Sequence, residues 1–165
     1  MSVKVGLPPV ARSDARLFLL GSLPGDASLA AGQYYAHPTN QFWRLLGRAI
    51  GEDLEMLDYG QRLALLVERH IGLWDVIASA RRPGSLDQAI RDAAHNRIEH
   101  LLHDFPDLRG IGFNGSTASS VGRKLIGQPP PSLTLIDLPS SSAANTRPFA
   151  QKVTAWAGLR DFLEP

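Results

Sequence analysis

Residues 21–43, GSLPGDASLAAGQYYAHPTNQFW, concentrate side chains that can do chemistry. Asn40 carries an amide that can position a water molecule or hold a base. It also precedes a helical repeat, where it or Thr39 can serve as an N-cap. The local pattern allows both readings. His37 is a candidate general acid or base, and equally a loop histidine oriented by Pro38. Asp26, the one carboxylate in the stretch, can attract a water or cap the turn that follows. Gly21 and Gly25 permit tight turns and close approach of a ligand, with Ser22, Leu23 and Pro24 between them. The spacing is neither a dinucleotide G-x-G-x-x-G loop nor a Walker A loop, because no G-K-[ST] follows. Tyr35 lies in the loop before His37-Pro38, where burial is not forced. A loop aromatic beside a polar pocket can stack on a base, worth about 1–3 kcal/mol.

Two later clusters are similar in kind. Asn114 precedes Gly115, a common turn pair at a strand end. In PSSSAAN (139–145), Ser140, Ser141 and Ser142 offer hydroxyls and backbone N–H groups that can bind phosphate without net charge. The alternative is a flexible serine loop. Arg81-Arg82, Arg123-Lys124 and Lys152 are candidate phosphate contacts or plain solvated surface. The five histidines show no H-x-x-x-H spacing, so no metal site and no cofactor are expected.

The elements that must position these groups alternate strand and helix. Leu17-Phe18-Leu19-Leu20 is an apolar run ended by Gly21, which predicts a buried strand. Phe42, Leu45, Leu46, Ala49 and Ile50 recur at helical spacing, which predicts a helix over 42–50. A second helix is expected over 61–70 and a strand over Leu73–Ile77. Ser85 and Asn96 are candidate caps for helical turns, the first near 86–93 and the second carrying Ile98, Leu101, Leu102 and Phe105. Arg109–Phe113 predicts a third strand, 116–126 a helix, Leu133–Leu138 a fourth strand and 149–163 a last helix. Such alternation predicts an α/β fold, three-layer α/β/α around a central four-stranded parallel sheet. Ligands in such folds bind outside the carboxyl ends of the strands. GSLPGD (21–26), Asp75, NGS (114–116) and PSSSAAN (139–145) all fall there.

The 165 residues predict one domain over 1–165, with 1–16 loosely ordered. Seventeen basic against sixteen acidic residues leave a net charge of +1. That excludes a broad basic coat and an acidic tail, and leaves local phosphate binding open. The absence of cysteine removes disulfides, thiolate metal sites and iron–sulfur clusters held by the chain's own thiolates. No run approaches the ~18 apolar residues of a membrane helix, and residues 1–16 lack the apolar stretch of a secretory signal. The expected location is the cytoplasm, at the nucleoid in a bacterium, with no membrane partner.

G-S-x-P followed by Y-Y-A-H-P-x-N-x-F-W resembles the uracil-DNA glycosylase superfamily. GFNGSTA (112–118) resembles the strand-end F-N-G of the mismatch-specific uracil/thymine branch, and LPSSSAANTRPF (138–149) resembles its serine loop. GLWDVIASARRPGSLDQAI (72–90) looks like the hypoxanthine-DNA glycosylase branch, also called DNA-deoxyinosine glycosylases. The resemblance spans about residues 17–163. Leu23 stands where the uracil/thymine enzymes carry a catalytic Asn, and Leu23 cannot position water. The hypoxanthine branch lacks that residue too and carries its catalytic Asn in H-P-x-N, matching Asn40.

The resemblance therefore implies a monomeric repair glycosylase acting on double-stranded DNA that contains a deaminated base. Asn40 would be catalytic. Gly21, Ser22, Leu23, Pro24, Tyr35, His37, Asn114 and Gly115 would line the base pocket. Ser140, Ser141, Ser142, Ala144 and Asn145 would face DNA. The family's wedge residue falls on Ala144, too small to fill a vacated stack, so Asn145 or Arg147 is expected to help. No lysine stands in the matched motifs, so simple hydrolysis without strand cleavage is expected. Two rivals remain, a uracil or thymine specificity and a non-catalytic reader of damaged bases.

Overall fold

The computed structural model describes residues 2–165. Strand β1 (Val3–Val5) is followed by β2 (Leu17–Gly21), helices α1 (Asp26–Ala31), α2 (Phe42–Ile50) and α3 (Tyr59–Glu68), and strands β3 (Ile71–Asp75), β4 (Ile77–Arg81) and β5 (Arg91–His95). Then come α4 (Leu101–Asp104), β6 (Gly110–Asn114), α5 (Ser116–Ile126), β7 (Thr134–Leu138) and α6 (Phe149–Trp156).

β2 and β6 are buried along their whole length, which an apolar, glycine-punctuated sequence permits for central strands. They form the middle of a four-stranded parallel sheet in the order β3-β2-β6-β7. Alternation along β2 feeds two cores. Leu17 and Leu19 face α2, α6 and Trp156. Phe18 and Leu20 face Phe113, Ile98 and Leu101 on the opposite side. This is the expected three-layer arrangement. The chain leaves β2 towards β3 and leaves β6 towards β7. A crevice therefore opens beyond the carboxyl ends of β2 and β6, where ligands of such sheets bind.

Several expectations are corrected. The single strand expected at 73–77 is two strands, β3 and β4, in different sheets, because β4 pairs antiparallel with β1 and β5 in a second, three-stranded sheet. The helical turn expected near 86–93 is a 3-10 turn at Asp87–Ala89 followed by β5. All five β5 residues are exposed, so no alternation marks them, and backbone bonds to β4 hold them there. Asn96 does not cap the turn at Ile98–His100; its Nδ2 donates to the Asp75 carbonyl at 2.8 Å. The last helix tightens to a 3-10 turn at Ala157–Phe162. α3 starts at Tyr59 behind a reciprocal capping box between Asp58 and Gln61. Within the first sixteen residues, β1 pairs with β4, and Val10 exchanges both backbone bonds with Leu73. No helix among the described residues is long and apolar enough to cross a membrane.

Candidate active site

A cavity of about 940 Å³ lies over the strand ends, within the size range of small-molecule sites. Its lining includes residues 21–28, Tyr35, His37, Asn40, Asp75, Asn114, Gly115 and the 137–145 loop. The loop after β2, the turn after β6 and the serine loop, far apart in sequence, thus share one pocket.

Ser141, in the serine loop, joins the other two. It is almost fully buried. Asn114 Nδ2 donates to Ser141 Oγ at 2.9 Å, and Ser141 Oγ donates to Asn40 Oδ1 at 2.8 Å. The orientation of both amides is fixed by backbone donors, which admit no flip. Ser141 N–H donates to Asn114 Oδ1 at 2.9 Å, and Phe42 N–H donates to Asn40 Oδ1 at 3.0 Å. Both lone pairs of Asn40 Oδ1 are thereby used, and its Nδ2 is left for a ligand. Asn114 likewise keeps one N–H after its bond to Ser141. Asn40 caps the start of α2 through Phe42 and also faces the cavity, so the two readings of this residue coexist.

Two buried cations hold the surrounding loops. Arg82, expected as a phosphate contact, is fully buried and donates to the carbonyls of Leu23, Pro24 and Gly84. Lys152, expected likewise, is fully buried. Its ammonium donates to Gln41 Oε1, Ser142 O and Asn145 O at 2.9–3.3 Å, joining the serine loop to the start of α2. Both side chains are spent inside the fold, where their N–H groups satisfy carbonyl oxygens that burial would otherwise leave unpaired. Burial lowers the Lys152 pKa, and Arg147 lowers it further. Arg123 pairs with Asp137 at 3.1 Å.

The other expected residues sort by position. Gly21 is buried, and a Cβ there would lie 2.5 Å from Asp75 Oδ1 and 3.0 Å from the Tyr35 hydroxyl. Ser22 donates to Asp87 at 2.6 Å. Leu23 is buried in the core under the loop, and Pro24 is held through its carbonyl. Gly115 has φ +100°, which glycine alone adopts without strain. Tyr35 has φ +54°, strained for a side chain of its size. Phe42 stacks on one face of its ring at 3.8 Å, so a base can stack only on the other. His37 is exposed at the rim, its Nδ1 within 3.1 Å of the Thr39 amide. Asp26 opens α1 and pairs with Lys4 at 2.6 Å. Ser140 and Ser142 lie at the opening and accept from the amides of Ser142 and Ala144. Ala144 is exposed beside Asn145, whose Oδ1 accepts from Arg147 N–H. Ser141 faces inward, away from the surface where it was expected.

Asp75, read from sequence only as a polar strand end, sits inside the site. It is 4% exposed, and its Oδ2 has no partner. Burial pushes its pKa up to about 7, Asp87 adds to the rise and Arg82 opposes it. A charged residue inside the apolar run LWDVI was the available signal. Asp87 and the buried Arg82 gave none.

Against known proteins, the model of the uracil DNA glycosylase superfamily matches residues 8–160. This chain belongs to that superfamily. Two relatives named hypoxanthine DNA glycosylase are similar over nearly its whole length. The Methanosarcina barkeri protein is 41% identical over 154 residues, 93% of this chain and 96% of its own. The Methanosarcina acetivorans protein is 40% identical over 157 residues, 95% and 98%. A solution NMR structure of a candidate uracil DNA glycosylase from Methanosarcina acetivorans superposes with a TM-score of 0.87 at 38% identity. That superposition covers 99% of this chain and all of the other.

Proposed function

We propose that this chain is a monofunctional glycosylase that excises hypoxanthine from double-stranded DNA, acting as a monomer in the cytoplasm. The observation that carries the reading is the Asn114–Ser141–Asn40 relay, which holds two locked amides against one cavity.

Deamination of adenine replaces an exocyclic amine with a carbonyl. The remaining N–H of Asn114 Nδ2 donates to that carbonyl and meets the adenine amine donor to donor. Rotation would erase this preference, and the Ser141 amide prevents rotation. The base reaches the pocket by flipping, at a cost of a few kcal/mol that is smaller for a mispaired base. The outer face of Tyr35 stacks on it. As the glycosidic bond lengthens, positive charge develops on the sugar, where DNA phosphates and pocket dipoles stabilise it. Asn40 Nδ2 donates to a lone pair of a water and leaves the other lone pair for C1′. No lysine is among the described residues lining the cavity, and the Lys152 ammonium is committed to three oxygens. No amine is therefore placed to form a Schiff base, and the product is an intact strand with an abasic site.

The test is a panel of duplexes carrying one hypoxanthine, uracil, xanthine or thymine, each treated with alkali to cut abasic sites. Alkali-dependent cleavage at hypoxanthine is expected. Cleavage at uracil alone would replace the specificity, and no cleavage would favour a damage reader.

A further inference from the structure

Asp75 takes no part in the excision steps given so far, and a catalytic role for it rests on the glycosylase reading of this pocket. It ends β3 in register with Gly21 on β2, and its side chain lines the cavity. Only a glycine at position 21 leaves room for it there, since any Cβ would collide with Oδ1. A buried carboxylate with a purely structural role is normally paired. Asp75 is not: its Oδ2 is orphaned, and the nearby guanidinium of Arg82 donates to three carbonyls instead. The charged and titratable groups facing it are Asp87 from the 3-10 turn, Arg82 from beyond β4, and Tyr34 and Tyr35 from the loop before α2. Another carboxylate among them and the low solvation both favour the protonated carboxyl. Asn114, at the end of β6, lies beside the Tyr35 hydroxyl, and that hydroxyl also approaches Gly21. The acid and the amide therefore share one end of the pocket.

We propose that Asp75 is a further catalytic residue, donating its carboxyl proton to N7 of the flipped purine as the C1′–N9 bond breaks. N7 adjoins the O6 carbonyl that Asn114 contacts. The electron pair of the broken bond stays on N9, and the base leaves as neutral hypoxanthine protonated at N7. Water adds to C1′ and loses a proton, which restores the Asp75 carboxyl. The overall reaction remains hydrolysis.

The experiment compares single-turnover excision by wild type and Asp75→Asn between pH 5 and 9, on duplexes carrying hypoxanthine or 7-deazahypoxanthine. Asn preserves size and hydrogen bonding, and affinity for a non-cleavable duplex reports whether the pocket stays intact. General acid catalysis contributes about 10²–10⁴-fold. Asp75→Asn should therefore be at least about 100-fold slower on hypoxanthine below pH 7, with unchanged affinity. The wild-type rate should fall as pH rises through about 7, and the variant's should not. The 7-deaza base, lacking the acceptor, should be slow for both proteins. A variant of near wild-type rate, an unchanged pH profile, a rate loss fully matched by lost affinity, or rapid wild-type release of the 7-deaza base would each overturn the proposal. Failure of wild type to excise hypoxanthine would instead overturn the glycosylase reading itself.

Discussion

Replacing Asn40 by Ala and by Ser separates its capping from its chemistry. Oδ1 accepts from Phe42 N–H and from Ser141 Oγ. Asn40→Ala removes both acceptors. Loss of a cap costs about 1 kcal/mol, and an unpaired, buried Ser141 hydroxyl costs about 1 kcal/mol more. For a chain of this length, about 2 kcal/mol lowers Tm by about 4–8 °C. Ser is as good a cap as Asn, so Asn40→Ser should recover about half of that loss. Neither variant supplies the Nδ2 donor. Removing one donor aimed at a reacting centre costs about 10²–10³-fold in rate, so both should be slow by about that factor. Thermal melts and single-turnover excision of hypoxanthine measure the two effects independently. If Asn40→Ser regains wild-type activity along with its stability, Asn40 is only a cap. Near wild-type excision by Asn40→Ala would refute the water-positioning role outright.

Three further outcomes are expected. Ser141→Ala removes the hydroxyl bridging the two amides. It should slow excision about 10-fold and lower Tm by a few degrees, at about 1–2 kcal/mol for the groups it leaves unpaired; an unchanged rate would deny the relay. The Asp75 carboxyl is held protonated on folding, so folding binds a proton between pH 3.8 and about 7, and stability falls as pH rises through that window. The full loss is on the order of 4 kcal/mol. Urea unfolding at pH 4.5 and 7.5 should show a smaller difference for Asp75→Asn than for wild type. The salt dependence of duplex binding should be shallow, with a slope near −3 if about three phosphates are contacted; a slope beyond about −6 would point to a broad basic surface.

The central sheet was legible because β2 and β6 are short apolar runs that stop at glycine or asparagine. The second sheet was not. β5 exposes every side chain, and its place depends on backbone pairing that leaves no periodic mark. In the site, Asn40, Asn114 and the serine loop were legible as polar groups at strand ends. Which serine turns inward was not, because its partners come from distant segments: Gln41 N–H donates to Ser141 O, and Asn114 and Asn40 hold its hydroxyl. Arg82 and Lys152 read as surface cations because sequence does not reveal clustered carbonyls. Asp75 was visible as a lone carboxylate in an apolar run, but its missing partner shows only once the sheet is assembled.

The products of excision separate hydrolysis by an Asn40-oriented water from its rivals. A duplex with one hypoxanthine is incubated with wild type and with Asn40→Ala, and base and sugar products are resolved by mass spectrometry. Hydrolysis by an Asn40-oriented water predicts free hypoxanthine, an abasic sugar on an unbroken strand, and initial product formation by the variant at about 1% or less of the wild-type rate. A strand nicked without alkali, or equal product from the variant, would contradict it.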